Sequence, residues 1–460
     1  MLENDSQDGE IDVLVKENNI ADITAFLISH HPAEDAELLS ELKPEEVQAV
    51  LKQIDSQKAA DIFCELPTAL QVDTAHGFSR AELTTLLEKL PPDERADLAK
   101  ALPEEQLDEV LPFLAQKERD EIKKLAAWPE DKAGSVMTTD YIAFPETLTV
   151  KQAIERIRLE GAKKEAVSII YTIDPGRKLC GYLTLEDLIL AKPDSDLSDI
   201  MKKTPSEVTA SADREEAVYQ ITKYGLMVLP VVDESGRLIG IITHDDAMDV
   251  VEQERTEDME RFMAIAGKHQ DTSYLQTSVW TQFSHRVLWL VVLAFCGLFS
   301  GAVLQSYEAT LSRLMLLAFY MPMLADTGGN TGSQSATVVV RALALKEIDY
   351  HDTLQVIWKE FRIALLLGIT LGVLAYLRVQ LTGRGTVLPY PLTLGKIGMA
   401  IGIALTIQVV TATIIGAVLP LIAAAFKLDP ALIASPALTT IVDITGLLIY
   451  FGIAHTILHI

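Results

Sequence analysis

The chain has 460 residues, 49% of them apolar, and a formal charge of −26, which is length enough for several domains. That charge is divided unevenly, −28 before Arg286 and +2 from Arg286 onward. So acidic a soluble part argues against nucleic acid as a partner, because phosphate binding needs a positive field; it suits multivalent cations, or simply solubility. Cys64, Cys180 and Cys296 stand apart with no pair at metal or redox spacing, and the acidic start Met1-Leu2-Glu3-Asn4-Asp5 has no apolar run behind it, so no signal peptide is expected.

From about Ile20 to Trp128, short amphipathic stretches alternate with a recurring punctuation: Leu42-Lys43-Pro44, Leu66-Pro67, Leu90-Pro91-Pro92, Leu102-Pro103 and Leu111-Pro112. Proline followed by acids suits a helix first turn, where the missing N–H costs nothing and negative charge meets the dipole. The pattern predicts an acidic, all-α superhelical N domain over residues 1–130. Asp93 and Asp97 stand at i and i+4 on one exposed helix face. They repel each other unless a cation lies between them, or they are simply solvated.

At Gly134 the character changes and one pattern appears twice. The first copy has Val136-Met137-Thr138, a helix over Val150 to Leu159, an apolar strand Ser168 to Ile173, a turn Asp174-Pro175-Gly176, and a second strand from Leu179 into Glu186-Asp187. The second has Ile200-Met201-Lys202, a helix over Glu215 to Lys223, a strand Val228 to Val232, a turn Asp233 to Gly236, and a second strand from Leu238 into Asp245-Asp246. The turn aspartates Asp174 and Asp233, and Gly181 and Gly240, share one offset of 59 residues. Each copy therefore predicts a hairpin followed by a helix opening with acids. This resembles the CBS module, whose copies pair into an α/β unit that often senses nucleotides or ions, here over residues 131–197 and 198–253.

Residues 247–285 read as a connecting helix and linker. Asp245, Asp246, Asp249, Glu252, Glu257 and Asp258 crowd its start, a candidate regulatory divalent site because hard cations take oxygen ligands, or else an acidic linker. No serine- or glycine-rich tether follows, which favours a stiff connection.

Residues 286–460 predict a polytopic α-helical membrane domain of five spans, Val287–Leu304, Leu314–Leu345, Phe361–Val379, Ile397–Phe426 and Ala431–His459. An odd number puts the termini on opposite sides, with the acidic part cytoplasmic. Gly297-x-x-x-Gly301, Gly368-x-x-x-Gly372 and Gly398-x-x-x-Gly402 permit close backbone approach. The second span is interrupted by a polar, glycine-rich run, Pro322 to Ser335, which contains Asp326 and Asn330 and must be buried in protein or line water. It can equally be a small-residue packing seam, though Asp326 fits that poorly.

In the last span Asp429-Pro430 reads as an N-cap and first helical residue, which places Asp443 about 20 Å along the axis. A carboxylate at that depth costs at least about 2.5 to 3.5 kcal/mol and normally faces protein, water or an ion. Ser435, Thr439, Asp443, Gly446 and Tyr450 share one face by helical spacing, a polar stripe suited to a cation path. The alternative is a pairing of Asp443 with a base elsewhere in the bundle.

These parts together, above all Pro322 to Ala336 with Arg341-Ala342-Leu343, and Ser435 to Tyr450 around Asp443, resemble the MgtE family of magnesium channels across nearly the whole chain. The resemblance implies a membrane transporter, not an enzyme: a homodimer in the cell membrane with one pore, where Asp443 of both copies holds hydrated Mg²⁺ and Ser435, Thr439, Gly446 and Asn330 line the path. It further implies that cytosolic Mg²⁺, bound at Asp93, Asp97, Asp246, Asp249, Glu257, Asp258 and Asp429, closes the pore through the connecting (plug) helix, and that an adenine nucleotide can occupy the CBS pair. Two rival readings are a CBS-regulated transporter of Mn²⁺ or Co²⁺ and an intramembrane aspartyl protease with Asp326 and Asp443 as its acid dyad.

Overall fold

The computed structural model describes residues 20–27, 30–161, 164, 166–263, 265, 277–385 and 388–459, with side chains omitted at 20–22, 25 and 431–437. The chain forms two compact units that meet in sequence between Glu254 and Arg255. The first begins with helices α1 (Ile20–Leu27), α2 (Pro32–Ser40), α3 (Pro44–Leu51), α4 (Ser56–Cys64), α5 (Thr68–His76), α6 (Arg80–Lys89), α7 (Pro92–Ala101), α8 (Glu104–Val110) and α9 (Gln116–Ala126). Prolines open α2, α3 and α7; the Asp55 side chain caps α4, and Ser79 and Glu82 form a capping box on α6. Helices this short are marginal alone, so packing must hold them. Each one packs against the helix two places further on, α1 on α3 through to α7 on α9, which produces the expected superhelical stack. Its core is continuous through Ile23, Leu39, Val47, Ile62, Phe63, Leu83 and Leu87, all fully buried.

The repeat follows as β1 (Ile142–Pro145), α10 (Val150–Glu160), β2 (Ile169–Ile173), β3 (Leu179–Thr184), α11 (Leu185–Leu190) and α12 (Leu197–Ile200), then β4 (Val208–Thr209), α13 (Arg214–Tyr224), β5 (Val228–Val232), β6 (Leu238–Thr243) and α14 (His244–Phe262). Each copy has a hairpin, β2 with β3 and β5 with β6, as the alternating apolar runs predict. Each also has an edge strand parallel to the hairpin, β1 and β4, that the sequence reading did not separate from the loop before it. Tyr171, Val228, Leu238 and Ile241 join the two copies in one core. At the turns the copies differ. The left-handed position is Gly236 in the second (φ +78°) and Arg177 in the first (φ +64°), because Gly176 stands one place too early.

The second unit contains α15 (Val279–Ser306), α16 (Glu308–Arg313), a 3₁₀ segment Met315–Tyr320, α17 (Met321–Ala344), α18 (Thr353–Thr382), α19 (Leu394–Ala425) and α20 (Pro430–Leu458). Among the described residues four helices are long and apolar enough to cross a membrane: Val279–Ser306, Tyr350–Thr382, Leu394–Ala425 and Leu438–Leu458. The expected second span differs. Its first residues form the 3₁₀ segment, and the polar run that was expected to interrupt it is helical throughout, because Pro322 falls in the first turn of α17, where it breaks no hydrogen bond.

Helix α19 is the most enclosed and packs against α17, α18 and α20. Two of the three glycine motifs meet there. A Cβ on Gly402 would lie 2.7 Å from the Gly372 carbonyl, and one on Gly368 2.9 Å from the Thr406 carbonyl. Gly297 and Gly301 on α15 meet nothing within 4 Å in the chain itself. Gly402→Val is therefore expected to lose about 1 to 3 kcal/mol by overpacking. Gly301→Ala leaves stability unchanged, and thermal unfolding of the two purified variants in detergent checks the contrast.

Candidate functional site

Gly328 of α17 sits against Val442 of α20, and Gly332 against Leu438, so the two helices run antiparallel with Asp443 level with Gly328. Facing away from this contact, Asp326, Asn330, Gln334 and Thr337 follow one another at helical spacing on α17, all exposed in the single chain. On α20, Thr439 is exposed and Asp443 partly so. No described residue gives the Asp443 carboxylate an ion pair or a hydrogen bond, so pairing with a base does not account for it.

The polar stripe expected along α20 is cut short after Asp443. Gly446 is buried against Gln408 of α19, and Tyr450 is buried with its hydroxyl donating to the Leu317 carbonyl at 2.8 Å. Both turn inward because α20 is gripped from one side by α19 and from the other by the 3₁₀ segment. Ser435 lies in α20, but its side chain falls outside the described residues.

In the first unit the acids come from two elements. Asp93 and Glu94 open α7, where Asp93 is buried rather than exposed; Asp246 and Asp249 lie on the first turns of α14. Burial, and then the charges of Asp93, Asp97, Asp246 and Asp249, push the Glu94 carboxyl up to about 8. Burial, and then Asp93, push Asp246 up to about 7, against a hydrogen bond donated by the Thr243 hydroxyl at 2.5 Å. Arg95, the next residue in α7, is directed elsewhere, to the carbonyls of Leu87 and Leu90 and to Glu121. Asp97, one turn further along α7, is exposed as expected and paired with Lys100 at 2.8 Å. Glu94 was missed because an acid after proline reads as a first-turn residue serving the helix dipole.

The other expected ligands lie in the second unit and have a protein partner. Arg261 of α14 pairs with Glu257 one turn back and with Asp429 at 3.0 Å, just before α20. Asp258 stands beside Glu257 on the same helix. Among the described residues no three His, Cys, Asp or Glu side chains are close enough to cage a metal ion directly. Asp93, Glu94, Asp246 and Asp249 offer only oxygen donors, and their mutual repulsion fits a hydrated hard cation held through its waters.

An acidic helical domain, a CBS pair and a C-terminal part with several helices long and apolar enough to cross a membrane define the class: a membrane transporter with a soluble N-terminal part. Residues 321–453 match the family model for the MgtE divalent cation transporter, residues 30–131 the MgtE intracellular N domain, and residues 133–194 and 197–253 the CBS domain. The magnesium transporter MgtE of Thermus thermophilus is 35% identical over 93% of both chains, and that of Bacillus subtilis 30% identical over 97% of this chain and 96% of the relative. The crystal structure of the cytosolic domain of the Mg²⁺ channel MgtE in complex with ATP is 32% identical, covering 52% of this chain and 98% of that one at a TM-score of 0.49. The chain belongs to the MgtE family. Its members are transporters and not enzymes, which removes the acid-dyad protease.

The raised carboxyls carry a pH dependence whose sign is fixed. Between their ordinary values of 4.5 and 3.8 and their folded values of about 8 and 7, the folded state holds more protons than the unfolded one. Stability supplied by these two groups is thus present at low pH and lost as pH rises toward 8. In chelator-treated full-length protein, hydrogen exchange over residues 92–101 is expected to quicken between pH 6 and 8.5 beyond the intrinsic rise, and Glu94→Gln is expected to flatten that excess.

Proposed function

We propose that this protein carries Mg²⁺ across the cell membrane as a homodimer, through a path where Asp443 of each copy faces the other, and that cytosolic Mg²⁺ closes the path. The observation that carries this reading is Asp443, a carboxylate in an apolar helix, without a partner among the described residues, level with an exposed polar stripe on α17. A stripe of that polarity does not face lipid, and a two-fold axis along it supplies a second carboxylate and a shared aqueous opening. Mg²⁺ gives up its waters reluctantly and prefers octahedral oxygen, so two facing carboxylates suit it in hydrated form. The relatives named as magnesium transporters support Mg²⁺ over Mn²⁺ or Co²⁺ as the cargo.

The acids of α7 and α14 supply the sensor. When metal is scarce, Asp93, Glu94, Asp246 and Asp249 repel or hold protons; when it is abundant, a cation bridges them. An ion that binds the closed state better shifts the population toward closed by its differential affinity. In this reading the first unit is cytoplasmic and α20 ends on the far side. Glu257, Asp258 and Asp429 belong to the same regulation, with Arg261 in the position a cation would otherwise take. The CBS pair offers a second input, an adenine nucleotide, as tandem copies of that module often do.

Flux into liposomes, with Mg²⁺ titrated separately on each face, tests both parts. Asp443→Asn is expected to abolish Mg²⁺ flux in folded, dimeric protein. Glu94→Gln and Asp246→Asn are expected to keep flux and to raise the inhibiting cytosolic Mg²⁺ roughly tenfold or more, the loss of one charge-assisted contact. Unchanged flux in Asp443→Asn would sink the path, and unchanged inhibition in the other two would sink the sensor.

A further inference from the structure

The second unit buries one uncharged polar side chain completely at the centre of its helices, Gln408 of α19. Its Nε2 donates to the Val442 carbonyl at 3.0 Å, while no described residue donates to its Oε1. The Val442 carbonyl belongs to the peptide plane that leads into Asp443, and a planar peptide passes any rotation at that carbonyl to the next Cα. The Thr445 hydroxyl donates to the same carbonyl at 3.2 Å. Around the amide, two helices have been stripped of side chain. A Cβ on Gly328 of α17 would stand 2.5 Å from Nε2, and a Cβ on Gly446 of α20 would collide with the same atom.

An apolar side chain of equal size would fill this space without carrying an amide into a membrane domain. What glutamine adds is a directed bond, made to the residue before the acid and at the level where α17 and α20 meet. We propose that Gln408 is the positioning residue of the ion path: it fixes the peptide plane before Asp443 and, lodged between Gly328 and Gly446, sets the register of the polar stripes on α17 and α20. The inference rests on Asp443 as the ion site and adds the group that aims it. Gln408 touches no ion itself. Its effect is read in how tightly and how selectively the path takes Mg²⁺.

The test compares full-length variants in proteoliposomes. Gln408→Met keeps length and volume and removes the donor. Its half-saturating Mg²⁺ is expected to rise about tenfold, the scale of one lost buried hydrogen bond, with discrimination against Ca²⁺ reduced alongside. Gly446→Ala displaces the amide without deleting it and is expected to do the same, so it stands in should Gln408→Met fail to fold. Val409→Ala, a fully buried neighbour on α19 facing the apolar core, lowers thermal stability and leaves half-saturation and discrimination as they were. Gln408 variants that lose stability yet keep wild-type half-saturation and discrimination overturn the inference. Asp443→Asn, run in parallel, separates the two failures. If it still transports, the ion-path reading falls; if it is dead while the Gln408 and Gly446 variants keep wild-type ion dependence, only the positioning role falls.

Discussion

A carboxylate held at membrane depth without a partner among the described residues is the constraint from which the second unit follows. Asp443 is unsuited to lipid and no described residue gives it a base, so the helices around it must present it to water, to an ion or to another copy of itself. They do so by turning the apolar neighbours of Asp443 on α20 toward the bundle. Leu438 and Val442, its neighbours toward the bundle, are fully buried, whereas Thr439 on its own face is exposed. The stripe Asp326, Asn330, Gln334 and Thr337 on α17 repeats that choice, so the polar side of each helix is the side the single chain leaves uncovered.

The same electrostatics runs with a different balance in the acids outside the membrane. The acids grouped by sequence as regulatory ligands, taken together with Glu94, which the sequence did not single out, include two contrasting sets. Asp97, Glu257 and Asp429 are neutralised by Lys100 and Arg261 at ion-pair distance. Glu94 and Asp246 are not: burial and neighbouring acids hold them at pKa values near neutrality, so a modest gain in cation or proton is enough to change their charge. Groups poised in this way respond to concentration, and groups already paired resist it. Glu94 and Asp246 are therefore the acids whose charge is easiest to change.

The sequence made the modular order readable because each module repeats a local rule. Proline with acids opens several of the short helices, the offset of 59 residues exposes the CBS copies, and long apolar runs mark the four described helices able to cross a membrane. Asp443 was legible for a thermodynamic reason, since an acid in an apolar run has few permitted surroundings. What was not legible depends on partners distant in sequence. Whether Gly446 lines a path or receives Gln408 is settled by α19, and whether Asp93 is exposed is settled by packing that helical spacing does not encode. The run from Pro322 to Ser335 misled because glycine and serine disfavour helix in water, while tertiary contacts with α19 and α20 override that preference here. Gln408 gave no signal: one amide in a long apolar run reads as a tolerated polar residue until its neighbours are known.

Helix α19 shows how the second unit can be rigid while it leaves polar stripes uncovered. Its single charged residue, Lys396, lies in the first turn, and the rest of the helix makes close contacts through backbone, Gly402 to Gly372 and Gly416 to Gly332, and through the Gln408 side chain lodged between Gly328 and Gly446. Register along such a seam is set by sterics, because a partial slide brings a side chain against a carbonyl already within 3 Å of where a Cβ would stand. Intermediate positions are therefore disfavoured for α17, α18 and α20 against α19, and these helices move as one body or not at all. Small internal slippage within one chain is correspondingly costly. The surfaces the chain leaves bare are the polar stripes of α17 and α20 and much of α15, so movement there unpacks none of the contacts that lock α19 to its neighbours.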